Sequence, residues 1–189
     1  MSVTTSSDRR SSRKKRLTIV IGAVSAVIVI VVVSIFTGGH VTNPNEPTSK
    51  LVGTSVATFS LSGLQSGTVE APWKSHHAAV LIFFASYCEP CKSEMPKVAK
   101  YLRRHNEGSI RVIGVDALDA RGPARTFVKE SGVTFPIAFD PNGTVTTGIF
   151  QFAYVPETVF VSAKGILKQV YYGAIPKDVL VKGIAALRA

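Results

Sequence analysis

The sequence predicts an α/β layered domain behind a single N-terminal membrane helix. Three observations predict it. A continuous apolar run at 79–85 and a second, largely apolar strand pattern at 110–115 flank a stretch with helical periodicity. A strand–turn–strand pattern and a last amphipathic helix then close the chain. Ahead of all of these lies an uncharged apolar run at 17–36. Runs of this kind without polar alternation are those of strands buried on both faces, which need helices as covers.

Composition narrows the class. At 189 residues with 46% hydrophobic content the chain has enough apolar side chain for one packed core and is not a disordered polymer. Two cysteines exclude a disulfide-rich scaffold and a four-cysteine zinc site. The formal charge of +10 is uneven: Arg9, Arg10, Arg13, Lys14, Lys15 and Arg16 crowd into residues 1–16 against Asp8 alone. Half of the net charge is therefore a tail effect, and no nucleic-acid partner is expected from it.

Residues 17–36 form twenty uncharged positions. As a helix they reach about 30 Å, the hydrocarbon thickness of a bilayer. A cleaved signal peptide is the rival reading. It would carry a shorter apolar region and a small-x-small cleavage site, whereas Thr37-Gly38-Gly39 follows directly. The basic cluster on the N-terminal flank sets orientation, with residues 1–16 cytoplasmic and 37–189 outside. Residues 37–52, rich in Gly, Thr, Asn, Pro and Ser, read as a flexible tether, and 53–189 as the soluble domain.

Within that domain, Val56, Phe59, Leu61 and Thr68-Val69 predict a short hairpin around Ser66-Gly67. The 79–85 run is a buried strand. Met95, Val98, Ala99 and Leu102 then lie on one helical face, with Pro96 an interior breaker. A second buried strand covers 110–115 and ends at Asp116. Residues 123–131 read as a helix stopped at Gly132. A short strand follows at 137–139, then a helical or turn segment at 142–150. Strands at 158–161 and 168–172 turn at Lys164-Gly165, and 176–187 is a helix with Pro176 in its first turn. Parallel strands joined by a helix, then a hairpin, then a helix make a layered α/β sandwich.

The chemistry is concentrated in Cys88-Glu89-Pro90-Cys91, at a strand-to-helix junction. Cysteines three apart at a helix start close a disulfide with little backbone change. Free N–H groups and the helix dipole stabilise a thiolate at the first of them. Cys88 is thus the expected exposed, attacking thiol and Cys91 the buried, resolving one. Pro90 suits a first turn that needs no donor. Glu89 faces solvent, and its charge opposes a thiolate at Cys88. Glu94, about one turn beyond Cys91, either faces the dithiol as a proton acceptor or is an exposed helix acid. Zinc would need ligands beyond two sulfurs, and the adjacent His76-His77 suit one metal poorly. A purely structural disulfide is a further alternative outside the cytoplasm.

These residues carry a resemblance. FFASYCEPCKSEMP (83–96), VIGVD (112–116), FPIAFDPNG (135–143) and YVPETVFVSAKG (154–165) are similar to the membrane-anchored, thioredoxin-like TlpA/ResA-type disulfide reductases, over residues 57–189. The resemblance implies a thioredoxin-like fold, with a central mixed sheet flanked by helices, on the outer side of the membrane. It implies Cys88 as nucleophile, Cys91 as resolving cysteine and Glu94 as the acidic residue beside them. It implies Val155-Pro156 as a cis-proline loop opposite the disulfide, whose backbone pairs with substrate. Tyr87 stands where the family commonly has Trp. No cofactor is implied beyond the Cys88–Cys91 pair. The implied partners are protein thiols, such as those of apocytochrome c, and a membrane electron donor.

The motif alone is compatible with either direction of electron flow, because direction is set by potential and partners. A disulfide-forming oxidase is the alternative in that sense. A peroxiredoxin would place a lone cysteine after Pro-x-x-x-Thr-x-x. A copper carrier of the SCO type would need Cys-x-x-x-Cys and a distal His, and no His follows His105.

Overall fold

The computed structural model describes residues 49–188 other than Asn106 and Ala153. The basic tail, the apolar span and nearly all of the tether lie outside the described residues.

Two short strands, β1 (Ser60–Ser62) and β2 (Thr68–Glu70), pair antiparallel as the expected hairpin. A single 3-10 turn at Pro72–Ser75 follows, which the sequence reading did not foresee. The main sheet begins with β3 (Ala79–Phe84), whose six residues are all buried. Helix α1 (Glu89–Arg104) leads to β4 (Arg111–Ala117), and α2 (Arg121–Glu130) leads to β5 (Ile137–Asp140). Strands β6 (Glu157–Val161) and β7 (Leu167–Tyr172) form the closing hairpin, and α3 (Lys177–Ala186) ends the domain. The five-stranded order is β5-β4-β3-β6-β7. Strand β3 runs parallel to β4 and antiparallel to β6, so the sheet is mixed and β3 is its centre. This is the thioredoxin-like α/β fold.

Each face of the sheet buries a separate core. Even-numbered β3 residues (Val80, Ile82, Phe84) pack with Met95 and Val98 of α1, Phe127 of α2 and Leu180 and Ile184 of α3. Odd-numbered ones (Ala79, Leu81, Phe83) pack with Phe59, Trp73, Phe150 and Phe152. The period of two along a strand produces this division, and covers on both faces explain why β3 shows no polar alternation. Phe83 meets Phe150 and Phe152 edge-on at 5.2 and 5.0 Å. Trp73 packs edge-on to Phe59 at 5.8 Å and lies under the β6–β7 turn. There Gly165 has φ +75°, and a Cβ would press on the indole. Arg121 donates to the carbonyls of Gly63 and Leu64 at 2.9 and 2.8 Å, which ties the first hairpin to α2.

Several element boundaries differ from the sequence reading by one or two residues. Strand β4 continues past Asp116, because Ala117 pairs with Asp140 of β5. Pro176 is the N-cap of α3 rather than a first-turn residue. Segment 142–150, for which the sequence allowed helix or turn, is turn. Asp140 Oδ2 accepts from the N–H groups of Val145 and Thr146, at 3.1 and 2.8 Å, and from the Thr146 hydroxyl. That carboxylate takes the place of an intrahelical acceptor and winds the segment back on the sheet.

Candidate active site

The C-terminal end of β3 delivers the chain into α1, and the two cysteines sit at that junction. Cys88 is the N-cap of α1, with extended backbone, and Pro90 occupies its first turn. Cys88 and Cys91 form a disulfide with S–S 2.00 Å and Cα–Cα 5.3 Å. The Cys91 N–H points at Cys88 Sγ at 3.2 Å. Once the disulfide is reduced, the same N–H and the helix dipole favour negative charge on Cys88. Among the described residues no cluster of three His, Cys, Asp or Glu converges as a metal site.

Exposure corrects one expectation. Cys88 is itself buried, at 6%, and Cys91 is fully enclosed. The reason is the loop opposite. The Val155–Pro156 peptide is cis, and the Val155 carbonyl oxygen lies 3.5 Å from Cys88 Sγ, covering it. Access is through a shallow cavity of about 210 Å³ lined by Tyr87, Cys88, Leu118, Thr146, Tyr154 and Val155, among others. Its rim is exposed aromatic and aliphatic surface: Tyr87 is 63% and Tyr154 82% exposed. Exposed apolar groups around a reactive sulfur mark a contact surface.

Glu89 is solvent-facing as expected, and it pairs with Lys92 at 2.8 Å. That neighbour offsets part of the opposition Glu89 offers to a Cys88 thiolate. Glu94 is not an exposed acid. It is buried on the same stripe of α1 as Cys91 and Met95. Its Oε1 accepts from the Ile175 N–H at 2.7 Å, and Oε2 is buried with no hydrogen-bond partner among the described residues. Burial pushes this carboxyl up to about 7, against the pull of the Ile175 N–H and the Lys97 charge. A carboxyl so placed exchanges protons near neutral pH.

Two buried acids escaped the sequence reading. Asp116, on β4 opposite Phe84, is raised to about 8 by burial, by the neighbouring Asp119 and by Asp140, against Arg121. Asp119 in turn accepts the Ser86 N–H at 2.5 Å, two residues before Cys88, and so holds the loop that carries the dithiol. Glu157 follows the cis-proline, between Phe83 and Tyr172 in register, and burial lifts it to about 7. A single acid inside an apolar strand is the only signal the sequence offered for either.

A buried dithiol at a helix N-terminus, on a thioredoxin-like sheet and facing a cis-proline loop, defines a thiol–disulfide oxidoreductase. The AhpC/TSA family profile matches residues 52–170, and the chain belongs to that family, among the ResA/TlpA-like thioredoxin-fold thiol–disulfide oxidoreductases. It is 26% identical over 115 residues to the thiol-disulfide oxidoreductase ResA of Oceanobacillus iheyensis, covering 61% of this chain and 59% of that one. To ResA of Halalkalibacterium halodurans it is 25% identical, over 68% of this chain and 72% of the relative. Among solved structures, MTB DsbF, seen in mixed oxidized and reduced forms, superposes with TM-score 0.62 at 28% identity, over 68% of this chain and 94% of that one. A putative thiol:disulfide interchange protein DsbE of Chlorobium tepidum shares the fold, with TM-score 0.64 at 24% identity, over 73% and 98% of the two chains.

Proposed function

We propose that the protein is a membrane-tethered disulfide reductase. Its domain lies outside the cytoplasm and serves thiols of secreted or membrane proteins, such as apocytochrome c. The observation that carries the reading is the Cys88–Cys91 disulfide lying against the Val155 carbonyl. In the working direction, the Cys88 thiolate attacks a substrate disulfide. One substrate sulfur leaves as a thiolate and a mixed disulfide forms. Cys91 then gives its proton to Glu94 and attacks Cys88 Sγ. The second substrate sulfur leaves, and two electrons have passed from the dithiol to the substrate. The backbone at Val155-Pro156 aligns the substrate chain by strand-like pairing, while Tyr87, Glu89 and Pro90 shape the surface around the sulfur.

The apolar run at 17–36 supports the anchor, and the basic cluster before it supports an outward-facing domain. A domain so placed needs its electrons from a membrane donor. Trapping tests the whole reading. Cys91→Ser should accumulate mixed disulfides on Cys88 with extracytoplasmic proteins, identified by mass spectrometry, and Cys88→Ser should accumulate none. Equal trapping by the two variants would contradict the assigned roles. Protease added to intact spheroplasts should digest the domain; protection would contradict the topology.

A further inference from the structure

A second concavity starts at Ser93 and Glu94, two and three residues past Cys91, and the reaction steps above use only its Glu94. It holds about 550 Å³ between α1 and the start of α3. Its floor is apolar, with Ile175 and Leu180 buried and Tyr101 half-buried. Its rim is cationic: Lys97, Lys100, Arg104 and Lys177 line it, all exposed. None of the four forms an ion pair among the described residues. Outside the groove, Lys74, Lys92 and Lys182 have carboxylate partners, whereas the exposed Lys50, Lys129, Lys164 and Lys168 have none among the described residues; what sets the groove apart is four such cations around one apolar floor. The acid in the groove, Glu94, is turned inward to the Ile175 N–H and is raised to about 7, so much of its charge is absent near neutrality.

We infer that this groove is the docking subsite for an acidic, apolar-anchored segment of the client protein, flanking the cysteine that reaches Cys88. Unneutralised cations around an apolar floor are complementary to carboxylates flanking an apolar side chain. The geometry fits. Lys97 and Arg104 lie about 14 and 24 Å from Cys88 along the helix axis, a span of roughly four to seven extended residues. The inference rests on the dithiol exchanging with protein clients, and it adds which clients are preferred.

The test uses the full chain in neutral detergent, reduced beforehand with dithiothreitol, in single turnovers. The substrates are two disulfide peptides that differ only in flanks of Glu-Leu-Glu or Lys-Leu-Lys, plus uncharged hydroxyethyl disulfide. The acidic peptide should react about tenfold faster at low salt, through a lower KM, and the preference should collapse at 0.5 M salt, where screening is within about 4–5 Å. K97E/K100E should erase it. K164E/K168E, an equal change of net charge on the β6–β7 hairpin, should keep it. Equal rates for the two peptides, survival of the preference in K97E/K100E, or equal loss in both double variants would overturn the inference. So would its removal by phosphatidylglycerol vesicles but not by phosphatidylcholine ones, which would assign the groove to the membrane surface. Hydroxyethyl disulfide separates the two levels: its turnover by the wild-type protein depends on the dithiol alone, so its failure strikes the proposed function instead. Where K97E/K100E lowers that turnover, K97Q and K100Q singly provide the graded comparison.

Discussion

Glu94 of α1 and Ile175, eighty-one residues later, are joined by a 2.7 Å hydrogen bond from the Ile175 N–H to Glu94 Oε1. The bond fixes the carboxyl one helical turn below Cys91 and ties the dithiol helix to the approach of α3. The same burial that holds it there raises it to about 7. The geometry and the acidity thus have one cause.

Glu94→Gln separates the two. Glutamine keeps the acceptor for Ile175 and cannot ionise. Because the folded carboxyl titrates above the unfolded one, its neutral form stabilises the fold below about 4.5. That contribution, at most on the order of 3 kcal/mol, is lost as pH rises through about 7. Wild type should therefore lose stability between pH 5 and 8. The variant should match it at pH 5 and exceed its Tm at pH 8. Its exchange rate should fall, with the pH profile losing an inflection near 7. Identical profiles for the two proteins would remove Glu94 from the proton path.

Asp119→Ala tests the loop anchor. Asp119 accepts the Ser86 N–H at 2.5 Å and the Ala120 N–H at 2.6 Å. Hydrogen bonds to a charged acceptor contribute about 1.5–3 kcal/mol, and partial exposure lowers the expected loss to about 1–2 kcal/mol. Urea denaturation of the oxidised protein measures it. The Asp116 carboxyl, relieved of a neighbouring charge, should titrate lower. No change in either quantity would contradict the assignment.

Gly183→Ala tests the packing of α3. On propensity alone, Ala for Gly inside a helix gains about 1 kcal/mol. Here an added Cβ would overlap the ring of the buried Phe160 on β6. Overpacking of that kind costs about 1–3 kcal/mol, so the net effect should be a lower Tm. A rise would mean that Phe160 can yield.

The sheet and its helices were legible because their signals are local. The 79–85 run, the Met95–Leu102 face and the Lys164-Gly165 turn each specify one element through periodicity or turn chemistry. The dithiol was legible for the same reason, as a four-residue pattern at a junction. What escaped depends on distant contacts. The covering of Cys88 arises from Val155, sixty-seven positions away. For Asp116 and Glu157 only burial distinguishes a raised carboxyl from a strand-edge acid. For Glu94 the sequence offered a dithiol-facing and an exposed reading, and burial against the Ile175 N–H excludes the exposed one.

Reduction of client disulfides requires the Cys88–Cys91 dithiol to hold a low potential. Its equilibrium potential, titrated in glutathione and dithiothreitol buffers at pH 7 with the full chain, tests this most directly. Two opposing effects act on the thiolate: Glu89, partly offset by Lys92, and the α1 N-terminus with the Cys91 N–H. A reductant's potential is expected near or below about −250 mV, close to the thioredoxin range; a value near about −120 mV, that of a strong oxidant, would contradict the reductase role.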